Sequence, residues 1–355
     1  MAGIALLIGA GLTGGIAAPI TAQETPPEPD PRVEAIFEQL SPAERIGQLF
    51  IVTFDGNDVS DTTYIARLVR DYRVGGVWLQ PANKPLAADP AEGRQAVQSL
   101  INQLQTYTFQ LPLSPLTSTL ALTATLSPTA TATPPAITPV PLFVAVEHRG
   151  NGYPNTLLSP ELTDVPSGMA LGATWQPDYA AQVGEVVGRE LAAEGVNMLF
   201  GPVLDVVDKP GAGGLGLFGV NAFGGDPYWV GRMGRAYIRG VHTGSEGRML
   251  TIAQHFPGAG SIDRQLNQDI PTIQKLLGQL QLVELAPFYA VTVPPAASPD
   301  ELTDGLMTAH IRYRGLQGNI RDLTKPISLD PQNLPQILQS LAPWHEAGGL
   351  IVSGP

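Results

Sequence analysis

The sequence predicts an α/β fold built on a mainly parallel β-sheet. Seven short apolar runs occur along the chain, and segments with the helical spacing of apolar residues separate most of them. Runs that are apolar throughout are typical of parallel strands covered by helices on both faces. With 355 residues, the chain is long enough to bury a large core.

The composition excludes several classes of function. The chain has 32 acidic and 20 basic residues, and its net charge of −12 argues against a nucleic-acid partner. It has no cysteine, so disulfides and thiolate metal sites are excluded. The glycine-rich stretch at 209–219 fits neither nucleotide-binding fingerprint, and no paired histidine spacing occurs. We therefore expect no nucleotide, no metal and no other cofactor.

The N-terminal segment resembles a secretory signal. Residues 1–22 are apolar and end in small residues before Gln23, although a basic start is absent. An uncleaved membrane anchor is the alternative. Residues 23–32 are acidic and rich in proline, which is typical of a disordered spacer. We expect a secreted product or one associated with the cell envelope through this segment.

Globular patterning begins at Val33. Residues 33–40 have helical spacing, and Ser41 to Glu44 reads as an N-cap followed by proline and a capping-box glutamate. A first strand is predicted within 46–54 and a second at 74–79. Residues 106–140, rich in Thr and Pro and almost uncharged, interrupt this order as a low-complexity insertion. We expect a solvated loop there, which could carry O-linked glycans or lie across the active face.

The remaining elements continue the alternation of strands and helices. Strands are predicted at 141–147, 196–205, 249–253, 305–310 and 348–353, with helices at 177–195 and 227–240. The strand at 249–253 stops at a Phe-Pro-Gly break, which forbids further strand and begins a polar loop. His255 lies at that strand end. A lone histidine in such a place could equally be a satisfied core residue.

The stretch from Leu250 to Gly260, Leu-Thr-Ile-Ala-Gln-His-Phe-Pro-Gly-Ala-Gly, resembles the Lys-His-Phe-Pro-Gly-(His/Asp)-Gly segment of glycoside hydrolase family 3. The likeness is to its β-N-acetylhexosaminidase branch especially, and it covers residues 33–355 outside the insertion. It implies a TIM-type (β/α) barrel, here incomplete at the C-terminus because strand eight is missing. It also implies an activity, the hydrolysis of O-glycosyl bonds, at the C-terminal ends of the strands.

The same resemblance places substituted residues at the chemical positions. The family nucleophile, an aspartate after strand seven, falls on Gly354, which has no atom for covalent attack. The family acid/base pair, aspartate and histidine, falls on Gln265 and Asn267, which cannot transfer a proton near neutral pH. Because all three catalytic positions are substituted, we assign no catalytic residue.

Three cations of the family site are also replaced. Their positions fall on Gln254, Asn221 and Gly152, so hydrogen bonds assisted by positive charge are lost.

Four residues are nevertheless expected to contact a sugar. Glu147 takes the place of a family aspartate, Asp205 ends strand four as a support for the site, and His255 and His310 match family histidines. Glu147 and Asp263, with Asp269 on the same loop as Asp263, are the candidates for substitute acids.

These patterns support three hypotheses. The first is a degenerate glycosidase that binds a glycan or amino sugar, or serves as a scaffold, without cleaving it. The second is an active exo-β-glycosidase that uses substitute carboxylates. The third is a structural module of the cell envelope, in which the Thr/Pro-rich tract acts as a stalk. Because a fold does not carry activity by itself, the choice depends on the site.

Overall fold

Seven strands pair in parallel to form one sheet. The computed structural model describes residues 30–80, 83, 90–109, 139–151, 162–207, 219–264, 269–294 and 298–354. Its strands are β1 (Ile51–Val52), β2 (Gly76–Trp78), β3 (Phe143–Val146), β4 (Met198–Val203), β5 (Leu250–Phe256), β6 (Thr272–Ile273), β7 (Gly305–Thr308), β8 (Arg312–Tyr313) and β9 (Leu350–Ser353). The main sheet has the order β1-β2-β3-β4-β5-β7-β9, and β6 pairs separately with β8. The prediction of a parallel α/β sheet with seven strands is therefore confirmed.

The sheet curls around an interior cluster. Five buried side chains fill its concave side: Ala145, Met198, Phe200, Ile252 and Met307. Ile51 of β1 and Val352 of β9 both pack against this cluster, although they belong to the two edge strands. Opposite edges reach one cluster only if the sheet is strongly curved. The fold is an incomplete TIM-type barrel, as the sequence predicts.

Helices cover the convex side of the sheet. They are α1 (Pro31–Gln39), α2 (Pro42–Gly47), α3 (Tyr64–Arg70), α4 (Pro90–Phe109), α5 (Gly168–Gly172), α6 (Pro177–Glu194), α7 (Pro227–Gly244), α8 (Leu277–Leu282), α9 (Ala286–Thr292), α10 (Arg314–Gln317), α11 (Asn333–Gln339) and α12 (Ala342–Glu346). The predicted capping box is present: the Ser41 hydroxyl accepts from the Glu44 amide, and the Glu44 carboxylate accepts from the Ser41 amide. Within the described residues, no helix is long and apolar enough to cross a membrane.

Several predicted boundaries differ from the structure; strand β5, for example, runs to Phe256, past the predicted end at residue 253, so His255 lies within it. Helix α1 begins at Pro31, inside the predicted spacer, because Asp30 caps it by accepting the Arg32 amide at 2.9 Å. Helix α4 continues to Phe109, so residues 106–109 are helical and do not belong to a loop. Tyr107 anchors this turn by donating its hydroxyl to the Val59 carbonyl at 2.9 Å. The predicted signal segment and residues 110–138 of the predicted insertion lie outside the described residues.

A histidine joins two strands at the end of the sheet opposite the site. His242 of α7 lies 2.9 Å from the Asp304 carboxylate and 2.9 Å from the Asp300 carbonyl. Asp304 also accepts the Thr251 amide of β5 at 2.7 Å, just before β7 begins. Burial lowers the pKa of His242, but the hydrogen bond and charge of Asp304 outweigh burial and raise this pKa above its usual 6.5.

We predict a stability difference between the wild type and His242→Gln that depends on pH. A pKa raised by folding contributes stability that is complete below the unfolded-state pKa and is lost as pH rises through the folded-state pKa. The advantage of the wild type should therefore be largest near about pH 6 and shrink above it. Urea unfolding of both proteins across this range measures it. An advantage that grows with pH would contradict the assigned role of Asp304.

Candidate functional site

The candidate site lies at the C-terminal ends of the strands, which we call the mouth. Glu147 follows β3, Asp205 follows β4, His255 lies near the end of β5, and His310 follows β7. The strands are parallel and adjacent, so these ends meet at one edge of the sheet. All four residues predicted to contact a sugar are thus placed on the same edge.

Asp205 and His255 form a tight buried pair. The Asp205 carboxylate is fully buried, and its Oδ2 lies 2.7 Å from Nδ1 of His255. Its Oδ1 accepts the Ala259 amide at 2.6 Å and the His255 amide at 3.4 Å. A carboxylate only accepts hydrogen bonds, so Nδ1 of His255 is the donor and the orientation of the ring is fixed. Asp205 therefore positions His255 and lies beneath the surface that a ligand would touch.

The glycines after His255 allow the loop to pass close to its supports. Gly258 has φ +120°, and a Cβ there would lie 2.6 Å from Cβ of Glu284. Glu284 is fully buried, and its carboxylate accepts from Nζ of Lys275 and from the Ser261 hydroxyl, at 2.5 and 2.7 Å. Tyr313 donates its hydroxyl to the Gly258 carbonyl at 2.8 Å. This support explains the Phe-Pro-Gly break, because only glycine fits at position 258.

Gln254 lies inside the mouth with part of its amide unsatisfied. The residue is 1% exposed, and its Nε2 donates to the Phe200 carbonyl at 3.3 Å. Its Oε1 is buried and has no partner in the part of the chain that the structure describes. Nε1 of Trp78 is in the same condition, and the Trp78 ring packs edge-on against Phe200, 5.2 Å between centroids. Buried polar atoms of this kind usually mark a place where a ligand or water binds.

An arginine that the sequence interpretation did not select lies in the mouth. Nη2 of Arg149 is 2.5 Å from the Glu147 carboxylate, which is largely buried. Arg149 lines a cavity together with Asn221 and Gln254, two positions where the family has a cation. Among the described lining residues it is the only permanent cation, because burial lowers the pKa of the neighbouring His148 to about 4. The signal available in the sequence was that Arg149 lies two positions after Glu147.

Position 354 is oriented toward the interior of the barrel. The Gly354 amide donates to the Thr308 carbonyl at 3.3 Å, which continues the pairing of β9 with β7. A Cβ built on Gly354 would lie 3.4 Å from Cγ of Met307, a member of the interior cluster, and 3.2 Å from the Thr308 carbonyl oxygen. A side chain at this position would therefore enter the mouth with only a small adjustment.

The loop carboxylates are paired with a surface arginine. Arg264 contacts Asp263 at 3.0 Å and Asp269 at 3.2 Å, and Asp263 also accepts the Thr272 amide at 2.8 Å. Burial raises the pKa of Asp263, but hydrogen bonds from Arg264 and Thr272 outweigh it and hold the pKa below its usual value. A carboxyl group with a lowered pKa is a poor proton donor at neutral pH.

The remaining positions complete the arrangement. Nδ1 of His310 lies 2.6 Å from the Ser328 hydroxyl, and burial lowers the pKa of His310. Gln265, Asn267 and Gly152 lie outside the described residues. Among the residues that are described, no group of three His, Asp or Glu side chains is arranged to hold a metal ion. The mouth can offer hydrogen bonds and shape to a polar ligand.

Comparison with known proteins agrees with this geometry. A family model described as the glycosyl hydrolase family 3 N terminal domain matches residues 42–353. A beta-hexosaminidase of Bordetella avium is 31% identical over 183 residues, which is 49% of this chain and 47% of that protein. Beta-hexosaminidase A of Pseudoalteromonas piscicida is 27% identical over 218 residues, which is 59% of this chain and 33% of that protein. The matches thus span a third to a half of these relatives.

Solved structures give the same result. A family 3 beta-N-acetylglucosaminidase from Paenibacillus superposes with a TM-score of 0.65 at 25% identity, over 89% of this chain and 49% of that one. A beta-N-acetylhexosaminidase from Beutenbergia cavernae, at 22% identity, shares the fold with a TM-score of 0.65 over 89% of this chain and 78% of that one. The family match, supported by the fold and the layout of the mouth, shows that the chain belongs to glycoside hydrolase family 3 and contains its N-terminal barrel domain.

Proposed function

We propose that this domain binds a β-linked N-acetylhexosaminyl glycan at the mouth and does not hydrolyse it. The family acts on glycosidic bonds, and several relatives and structural neighbours are named as hexosaminidases. The observation that carries the proposal is Gly354. It lies at the end of β9, where a side chain would enter the mouth, and it offers no nucleophile.

The contacts of the other acids support the inactive assignment. In the common design of a retaining glycosidase, two carboxyl groups lie about 5–5.5 Å apart, one as nucleophile and one as acid. Asp263 and Asp269 are both engaged by Arg264, and Glu147 is engaged by Arg149. An active enzyme with substitute carboxylates would require at least two of these groups to leave their partners and converge on one sugar.

The test combines binding and turnover measurements on the full chain. We expect heat on calorimetric titration with chitobiose and no release of p-nitrophenol from p-nitrophenyl β-N-acetylglucosaminide above the buffer rate. Turnover that disappears in Glu147→Gln or Asp263→Asn would establish the active alternative. A titration without heat, together with no turnover, would instead favour the structural module of the cell envelope.

We further propose that the domain acts outside the cytoplasm, as a secreted or envelope-associated protein. The support is the apolar composition of residues 1–22, followed by an acidic, proline-rich spacer. Fractionation of the source cells, followed by N-terminal sequencing of the recovered protein, tests this. A mature start near Gln23 is expected; an intact N-terminus in the cytoplasmic fraction would contradict it.

A further inference from the structure

Glu147 and Arg149 form a charge pair inside the mouth. The Glu147 carboxylate lies 2.5 Å from Nη2 of Arg149, and the Glu147 side chain is only 13% exposed. The two residues are two positions apart, just after β3, and a turn at Gly150 and Asn151 follows them. Asn151 fixes that turn by donating its amide to the Val165 carbonyl at 2.8 Å. The guanidinium is therefore already engaged by a carboxylate of the protein.

Two polar atoms of the same cavity remain unsatisfied. Nε of Arg149 is a buried donor without a partner among the described residues, and Oε1 of Gln254 is a buried acceptor in the same state. Both residues line one cavity. A sugar hydroxyl can accept from the first and donate to the second, because a hydroxyl carries both functions. Neutral hydroxyl groups thus match the vacant hydrogen-bonding capacity of the cavity.

A ligand carboxylate meets the opposite situation. An ionised carboxylate only accepts hydrogen bonds, so it cannot satisfy Oε1 of Gln254. It would also gain little from the charge of Arg149, because the Glu147 carboxylate already pairs with Nη2 of that guanidinium and offsets its charge. Like charges placed close together across an interface are strongly unfavourable.

We propose that the Glu147–Arg149 pair makes the mouth selective for neutral glycans and excludes sugars that carry a carboxylate. The inference rests on the proposed function, that a glycan binds at this mouth. Glu147 is the specificity-determining residue, because its charge cancels the one permanent cation that the described lining offers. Arg149 positions Glu147 and supplies the buried donor. The pair does not replace the missing acid or nucleophile.

The test compares two ligands that differ only in charge. Methyl β-N-acetylglucosaminide oxidised at C6 carries a carboxylate, and the corresponding C6 carboxamide is neutral and of nearly the same size. The full-length wild type should bind the carboxamide at least about tenfold more tightly than the acid. In Glu147→Gln, Arg149 is released from its partner, so the preference should disappear or reverse in favour of the acid.

Controls separate charge from damage to the fold. Glu185→Gln removes the acid of an exposed pair on α6, 3.4 Å from Arg189, and should keep the wild-type preference. Thermal unfolding of Glu147→Gln identifies misfolding, and Arg149→Lys, which keeps the positive charge, should still prefer the neutral ligand. Equal binding of acid and carboxamide by a wild type that binds chitobiose would overturn this inference alone. Failure to bind chitobiose would overturn the proposed function and this inference with it.

Discussion

Replacement of Gly354 by aspartate is expected to place a nucleophilic carboxylate at the end of β9 and to produce cleavage of activated glycosides. A Cβ at this position points at Met307 of the interior cluster, and its shortest contact would be 3.2 Å, to the Thr308 carbonyl oxygen. Gly354 continues the strand pairing, so the carboxylate would project from the end of β9 into the mouth. Covalent attack on the anomeric carbon requires only such an oxygen and a leaving group that departs.

The leaving group decides where the gain appears. Gln265 and Asn267 supply no acid, so Gly354→Asp alone should act on dinitrophenyl β-N-acetylglucosaminide, whose leaving group needs no proton. Unactivated chitobiose should remain uncleaved. Addition of Gln265→Asp and Asn267→His should then raise the rate on poor leaving groups by about 10²–10⁴-fold, the usual contribution of general acid catalysis. The measurement is the initial rate on both substrates for the single and triple variants.

A matched control isolates the nucleophile. Gly354→Asn has nearly the same size as Gly354→Asp but offers an amide, which is a very poor nucleophile. It should show no activity, and mass spectrometry should find a sugar attached to position 354 only in the aspartate variant. Equal rates for the two variants would mean that position 354 does not face the substrate, and the inactive assignment would lose its main support.

The substitutions at the mouth make physical sense as a set. By the family resemblance, two carboxylates are absent, at Gly354 and Gln265, and cations are absent at Gln254, Asn221 and Gly152. A buried cation that loses its carboxylate partner is costly, so loss of one charge favours loss of the other. Arg149 is a cation in the described part of the mouth, and the Glu147 carboxylate pairs with it at 2.5 Å.

The sequence predicted the sheet better than it predicted the site. The strand Met198–Val203 is an apolar run, which locates it in the sequence even though Gly201 and Pro202 lie inside it. The helix start at Ser41 follows from a local hydrogen-bond pattern. The short pair of Thr272–Ile273 with Arg312–Tyr313 has no such signature, because each strand has only two residues and the pairing brings together segments about forty positions apart.

The site depends on contacts between residues far apart in sequence. The place of Asp205 was predicted from its strand end, but its three hydrogen bonds to residues fifty or more positions away come from the fold. Glu147 was considered as a free acid, whereas Arg149 holds it, and Asp263 is held by Arg264. Charge pairing of this kind changes the chemistry of a residue, and the residue type alone does not reveal it.

Removal of the Asp205 carboxylate is expected to produce the largest loss of stability at the mouth. Asp205 is fully buried, and Asp205→Ala would leave the buried amide of Ala259 without an acceptor. It would also release the His255 ring. Each unpaired buried group costs about 1–3 kcal/mol, so the free energy of unfolding should fall by about 3 kcal/mol. Urea unfolding measures the loss, and an unchanged midpoint would contradict the assigned role.

Asp205→Asn separates support of the fold from support of the ligand. An asparagine keeps one oxygen to accept the Ala259 amide, so most of the stability should remain, with a loss of about 1 kcal/mol. Its other group is a donor, and it faces Nδ1 of His255, which donates to the carboxylate in the wild type. The His255 ring must change its tautomer or turn. The free energy of chitobiose binding should therefore be reduced far more than the free energy of unfolding. Parallel losses in both measurements would mean that Asp205 serves the fold alone, and His255 would then have no positioned role in recognition.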